Sequence, residues 1–289
     1  MSGAENTLFG QYALKKRLGR GATGTVWHAF DTQNNTPVAL KFLSSRFIDN
    51  EDVLTMFQEE AKAGMQIDHP NVVKTLDVGV RSGRPYIAFE MVVGQSLQEL
   101  LEHGPLKESQ CIWILRQMAQ ALRELRRKDV VHQDIKPDNI LVESSGNCKL
   151  VDLGFARQRD GIIDWEGVAA GTAYYMSPEQ CAAVPGVEID TRSDLYSLGA
   201  TIYHCATGAP PFQDENEDAV LDMHIHAPLF PPNKRNKNLS PEFAKLLMRM
   251  LNKKPEDRFE TPEDLLLELR NIHTKAEPPI VIGARFKPE

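Results

Sequence analysis

Apolar and polar positions alternate in short runs over the first third of the chain, the signature of half-buried strands. Residues 12–19 lead into a glycine turn, 25–30 are dense in β-branched and aromatic side chains, and 38–43 form a third apolar run. Between the last two lies Asp31-Thr-Gln-Asn-Asn-Thr-Pro37, packed with turn formers. Residues 49–67 contain no proline and mix charged with apolar positions, which predicts a helix. His69-Pro70 ends it, because a residue before proline is pushed out of the helical region. Residues 72–80 and 84–91 read as two more strands.

Beyond Val93 the period changes from two to about 3.6. Over 107–127, Ile112, Leu115, Met118, Ala119, Leu122 and Leu125 fall on one helical side. Residues 140–142 and 148–151 flank Ser144-Ser-Gly-Asn147, a hairpin with strong turn chemistry. Further helices are predicted near 192–207, 216–225, 240–251 and 262–272. Ser240-Pro241 and Thr261-Pro262 each place a hydroxyl cap before a proline at the first helical position. No internal repeat or low-complexity tract occurs, and the last residues are proline-rich. The pattern predicts an α+β chain with a small β-rich lobe and a larger helical one, joined near 90–94.

Composition narrows this picture little. The chain has 289 residues, 42% hydrophobic and 25% charged, an ordinary globular balance. Its net charge of -7 and lack of a basic stripe argue against nucleic acid as the main partner. The basic cluster at 123–128 contains Glu124 and reads as a solvated helix end. Cys111, Cys148, Cys181 and Cys205 form no C-x-x-C and fit no zinc spacing, so free thiols in a reducing, cytoplasmic setting are expected. No secretory signal is read at the N-terminus, and no apolar stretch approaches the length of a membrane span.

The chemistry concentrates in one stretch. His132, Asp134, Lys136, Asn139 and Asp152 supply a base, a cation and two hard oxygen ligands, the set that phosphoryl transfer needs. Asp134 is read as accepting or orienting a hydroxyl proton, and Lys136 as neutralising charge on a transferring phosphate. Asn139 and Asp152 suit magnesium held between protein and phosphate oxygens. Upstream, Gly19-Arg-Gly-Ala-Thr-Gly24 has the letters of a dinucleotide-binding turn as well. A dinucleotide fold needs a helix immediately after the glycines. The β-favouring run that follows instead predicts a hairpin whose glycine tip approaches a triphosphate. Lys41 sits in an apolar strand, where lysine is seldom buried without a partner. It is read as holding phosphates and pairing with a carboxylate of the following helix. Glu60 is preferred, with Glu59 open; an edge lysine facing solvent is the alternative.

On these motifs the chain resembles a eukaryotic-type (Hanks-type) Ser/Thr protein kinase domain, from about Tyr12 to His273, and its short insertions are most like the bacterial members. The resemblance implies the two-lobed protein kinase fold. It divides the chain into an extension (1–11), an N-lobe (12–91), a C-lobe (92–273, with the hinge near 90–94) and a tail or linker (274–289). It implies ATP and Mg2+ as cofactors, Mn2+ being an alternative, and protein substrates with Ser/Thr acceptors. A homodimer is left open. By analogy Phe89 is the gatekeeper, the Glu90 carbonyl and Val92 amide hold adenine, Val26, Ala39 and Leu141 sandwich the ring, and Leu18, Gly19, Gly21 and Gly24 complete the nucleotide pocket. Ser177-Pro-Glu179 resembles the family's A-P-E, with Glu179 expected to pair with Arg258. Gly171-Thr172 resembles the substrate-docking segment, and Asp194 the buried aspartate that anchors the catalytic loop.

Three departures bear on mechanism. Gln133 stands where the family has an arginine that clamps a phosphorylated loop, and glutamine carries no charge for that purpose. The segment from Asp152 to Gly171 contains no Ser, Thr or Tyr. The loop is therefore expected to be held without phosphorylation, by Asp160, Asp164 or Glu166 pairing with basic groups. D-F-G is Asp152-Leu-Gly154, an apolar replacement. The leading reading is an active ATP-dependent protein Ser/Thr kinase; the alternative is a catalytically silent kinase-fold nucleotide-binding scaffold. A small-molecule kinase is a third option. Asp138 could favour a basic residue beside the acceptor. His224 and His226 are read as a helix surface rather than a metal pair, and Trp165 as a loop anchor or a docking residue.

Overall fold

The alternating runs of the first third pair into one antiparallel sheet. The structure is a computed structural model that describes residues 7–21, 24–153, 173–182, 189–272 and 274–279. The strands are β1 (Leu8–Phe9), β2 (Tyr12–Arg20), β3 (Gly24–Asp31), β4 (Thr36–Leu43), then helix α1 (Glu51–Met65), β5 (Thr75–Arg81) and β6 (Arg84–Glu90). Their order in the sheet is β1-β2-β3-β4-β6-β5. Asn50 caps α1 by accepting from the Val53 amide at 3.0 Å, and Glu51 and Asp52 favour its positive end.

Each face of the sheet carries its own cluster of buried residues. Tyr12, Ala29, Val38, Leu40, Phe42, Tyr86 and Ala88 pack on one face. Leu43, Ile87 and Phe89 pack on the other, against Phe57 and Ala61 of α1. Period-two alternation along β4 thus sends Lys41 and Ala39 to the α1 side.

A second, smaller sheet follows, which the sequence reading did not contain in full. β7 (Gly94–Ser96) pairs with β8 (Ile140–Glu143), which pairs with β9 (Cys148–Leu150). Between them lie α2 (Leu97–Leu101) and α3 (Glu108–Arg127). Then come α4 (Pro178–Ala182), α5 (Thr191–Thr207), α6 (Glu217–His226), α7 (Pro232–Arg235), α8 (Pro241–Met250) and α9 (Pro262–Glu268). The α3 stripe read from the sequence is buried, and Leu195, Leu198, Ile202, Phe243, Leu247 and Leu265 close over it. Ser240 and Thr261 cap α8 and α9 through their hydroxyls, accepting from Phe243 and Asp264 amides. Residues 269–271 tighten into a 3-10 turn, so the last helix ends earlier than the periodicity predicted. Glu108, at the start of α3, accepts from Ser240 and from Thr274 at 2.6 Å, pinning the segment after the helical lobe.

One sequence reading is corrected here. His224 is fully buried, and its Nδ1 meets the Tyr196 hydroxyl at 2.8 Å. Burial, with Lys253 adding to it, lowers its pKa to about 3, so it is a neutral core group. Only His226 lies on the helix surface, beside Asp222 at 2.9 Å.

Candidate active site

Strand register brings the first set of expected residues together. Val26 is opposite Lys41, which is opposite Ile87, and Ala39 is opposite Phe89. Val26, Ala39, Lys41 and Phe89 therefore share one face of the sheet. Leu18 sits in the register shift between Arg17 and Gly19, where the pairing of β2 with β3 is irregular. Gly21 closes the turn by donating to the Gly24 carbonyl at 2.9 Å. A Cβ at Gly24 would lie 2.0 Å from the Phe42 carbonyl oxygen, whereas Gly19 and Gly21 have open space around them. The glycines thus serve two needs: Gly24 lets β3 approach β4, and the other two leave room outside.

Lys41 is buried and reaches two carboxylates. Its Nζ lies 2.8 Å from Oε1 and Oε2 of Glu60 and 2.6 Å from Oδ1 of Asp152. Glu59 points away and is exposed. Burial works against the Lys41 charge, but Asp152 and Glu60 outweigh it and hold its pKa above the usual lysine value. Burial pushes Glu60 up to about 7 against the pull of Lys41. Burial also opposes ionisation of Asp152, yet Lys41 holds it down to about 2. The Asp152 side chain is 43% exposed, and its backbone adopts a positive φ of 62°.

The loop after α3 carries the second set. His132 is fully buried, and burial lowers its pKa to about 4, so the ring is neutral. Its Nδ1 accepts from the Asp134 amide at 3.3 Å, which places the proton on Nε2, 3.4 Å from the Val151 carbonyl. Asp134 is 4% exposed, and burial raises its pKa while Lys136 opposes this. Lys136 Nζ lies 2.8 Å from Asp134 Oδ2, and the Asn139 amide donates to that oxygen at 2.9 Å and to the Asp134 carbonyl at 2.8 Å. That leaves the Asn139 side-chain oxygen as its remaining ligand atom. Beneath the loop, Asp194 accepts from the His132 and Gln133 amides, each at 2.8 Å. Burial pushes Asp194 up to about 7, with the two amides opposing.

A third cluster adjoins the second. Glu179 and Arg258 form a buried pair at 2.7 Å, and Ser193 donates to Glu179 at 2.7 Å. Gln180 donates to the Gln133 carbonyl at 2.9 Å while its own carbonyl accepts from the Ser177 hydroxyl at 2.9 Å. This amide bridge from α4 to the loop was not foreseen. Nor was Lys149, which meets the Glu90 side chain at 2.7 Å and ties β9 to the end of β6. Leu141 stands on β8 opposite Ser96 and Lys149, and Val92 packs against the cluster that contains Phe89. Gly154, Asp160, Asp164, Trp165, Glu166, Gly171 and Thr172 lie outside the described residues.

Two carboxylate–ammonium centres, one with Asn139 beside it, are what a triphosphate and a divalent cation require. Lys41 and Lys136 are cations of the kind that neutralise phosphate, and carboxylate and amide oxygens such as those of Asn139 and Asp152 are hard ligands of the magnesium type. Comparison with known proteins points the same way. The family model described as the protein kinase domain matches residues 12–267. A probable serine/threonine-protein kinase of Clostridium acetobutylicum is 34% identical over 267 residues, covering 92% of this chain and 40% of the relative. Serine/threonine-protein kinase PknD of Mycobacterium tuberculosis is 34% identical over 272 residues, covering 93% of this chain and 40% of its own length. The kinase domain of M. tuberculosis PknI superposes with a TM-score of 0.72 at 24% identity, covering 94% of this chain and 99% of that domain, a likeness of fold. The chain spans about 40% of the length of these curated relatives.

Proposed function

Because this chain belongs to the protein kinase family, we propose that it is an active protein serine/threonine kinase that transfers the ATP γ-phosphate to Ser/Thr hydroxyls of protein substrates. The observation that carries the proposal is the pairing of Lys41 with Glu60 and Asp152 beside the Asp134–Lys136–Asn139 group. Lys41, Glu60, Asp134, Lys136, Asn139 and Asp152 together support the reading, because each is a residue type that phosphoryl transfer uses.

In this reading the acceptor hydroxyl gives its proton to Asp134 as its oxygen bonds the γ-phosphorus, and the bond to the bridging oxygen of ADP breaks. The raised pKa of Asp134 suits it to take that proton. Lys136, already against Asp134, spreads the charge of the transferring group. Lys41, steadied by Glu60, exchanges Asp152 for phosphate oxygens. Asn139 and Asp152 would hold Mg2+, with Mn2+ an alternative; the ion when bound neutralises phosphate charge. The face carrying Val26, Ala39 and Phe89, with Leu18, Leu141, Val92 and the Glu90 backbone, would take adenine, beneath Gly19, Gly21 and Gly24. The lobe boundary is placed near 90–94, and the setting is cytoplasmic.

Activity is proposed to need no phosphate on the segment from Asp152 to Gly171, which has no hydroxyl to carry one. The test is phosphate transfer from Mg-ATP onto the chain itself and onto a basic protein, with Asp134→Asn as control and sites mapped by mass spectrometry. Transfer that disappears in the variant supports the proposal. Tight ATP binding without transfer would assign the chain to nucleotide-binding scaffolds. A stoichiometric, activity-requiring site on Thr172, Tyr174 or Tyr175 would overturn the phosphate-independent part.

A further inference from the structure

The first sheet carries a second polar concavity on the face away from Lys41. Thr25 lies opposite Phe42 and Arg20, one residue out of phase with Val26 and Lys41, so alternation turns it to the other side. There Arg17, Arg20, Arg46 and Arg84 line a cavity of about 130 Å³ with Thr25 and Ser44. In a chain of net charge -7, four guanidinium groups around one cavity are a local reversal of sign.

Several features of this cavity suit an anion. The Thr25 hydroxyl is buried and has no hydrogen-bond partner among the described residues, although a buried polar atom ordinarily finds one. Arg17 and Arg20 are exposed, and with the partly buried Arg84 they make no ion pair with an acidic side chain among the described residues, so their forks are open to an anion from solution. Arg84 is partly buried, with its guanidinium carbon 4.1 Å from the centroid of the Phe42 ring. Burial lowers its pKa, with no carboxylate offsetting the loss of water.

We infer that this cavity binds a phosphate monoester carried on a serine or threonine of a protein segment. Planar guanidinium forks match phosphate oxygens two at a time, and clustered arginines are the usual readers of phosphorylated residues. The Thr25 and Ser44 hydroxyls add neutral donors. A concave site takes one tetrahedral group on a narrow stem; a lipid surface or a nucleic-acid backbone calls for a broad basic face, and the overall charge is acidic. The inference rests on the proposed kinase reading only for its source of ligand, since a Ser/Thr kinase makes proteins bearing this group.

The test uses the full chain with Asp134→Asn, free of nucleotide, so that binding is read apart from transfer. A fluorescein-labelled Gly-Ser-Gly-phosphoserine-Gly-Ser-Gly peptide is titrated by anisotropy beside its unphosphorylated twin, with inorganic phosphate as competitor. The phosphopeptide is expected to bind at least tenfold more tightly than the twin, more weakly as salt is raised. Arg17→Gln with Arg20→Gln should cost at least tenfold. Thr25→Val, which keeps the shape and removes the hydroxyl, should cost several-fold with an unchanged melting curve. Equal affinity for the twins, or unaltered binding in these variants, overturns the inference. So does inorganic phosphate competing as tightly as the peptide, or binding confined to phosphatidylserine vesicles. A parallel transfer assay on the unsubstituted chain shows separately whether the kinase reading stands.

Discussion

Asp194 Oδ1 accepts the Gln133 amide at 2.8 Å and holds that residue at a φ of 67°. A left-handed conformation costs a non-glycine residue about 1–3 kcal/mol, and it persists only where the surroundings enforce it. The other Asp194 oxygen takes the His132 amide, so one buried side chain sets two consecutive residues before Asp134. Asp194→Asn replaces one acceptor by a donor facing an amide. The expected loss is ~1–3 kcal/mol of stability and a fall in kcat of tenfold or more, measured by urea unfolding and steady-state kinetics.

Glu60 and Glu59 separate by burial, and their substitutions should separate too. Glu60→Gln leaves Lys41 with Asp152 alone and should lower kcat/KM for ATP by about two orders of magnitude, equivalent to ~2.7 kcal/mol. Glu59→Gln, on the exposed side of α1, should leave kcat/KM unchanged. Equal effects would overturn the assignment of the partner.

The glycine turn makes a divided prediction. Gly24→Ala drives a methyl group into the Phe42 carbonyl and should lower the melting temperature by several degrees, at a cost of ~1–3 kcal/mol for overpacking. Gly19→Ala and Gly21→Ala meet nothing within 4 Å. They should melt like the parent while raising KM for ATP.

The Glu179–Arg258 pair predicts the acid limb of stability. Burial opposes ionisation of Glu179, but Arg258 and Ser193 outweigh it and hold its pKa below the ordinary 4.5. A depressed pKa means the folded state binds the proton less readily than the unfolded one. This stabilisation is complete above about pH 4.5 and is lost as pH falls through the lowered value. Glu179→Gln should cost ~3 kcal/mol at pH 7 and flatten the stability curve below pH 5. Arg258 keeps its bonds to the Arg192, Asn252 and Lys253 carbonyls, which holds the loss near the lower end of the range.

Much of this architecture was legible because it is local. Strands β2 to β6, α1 and α3 follow from alternation and from the 3.6-residue stripe, and Ser240 and Thr261 announce their helices by adjacent prolines. The Lys41–Glu60 contact was legible because an apolar strand demands a partner for its lysine. What escaped is set by distant packing. β7 is Gly94-Gln-Ser96, with no apolar alternation to betray it, and exists because β8 lies alongside. His224 reads as a surface histidine until Tyr196 and Phe212 close around it. Asn71, which donates to Gln117, Asn147 and the Cys148 carbonyl, joins three segments that no short window contains.

The bridge from Gln180 to the Gln133 carbonyl is built from amides alone. Such a joint has nothing to titrate near neutrality, nothing for salt to screen, and no phosphoryl group for a phosphatase to remove. It stores no memory of past signalling: two molecules with different histories are identical at this point.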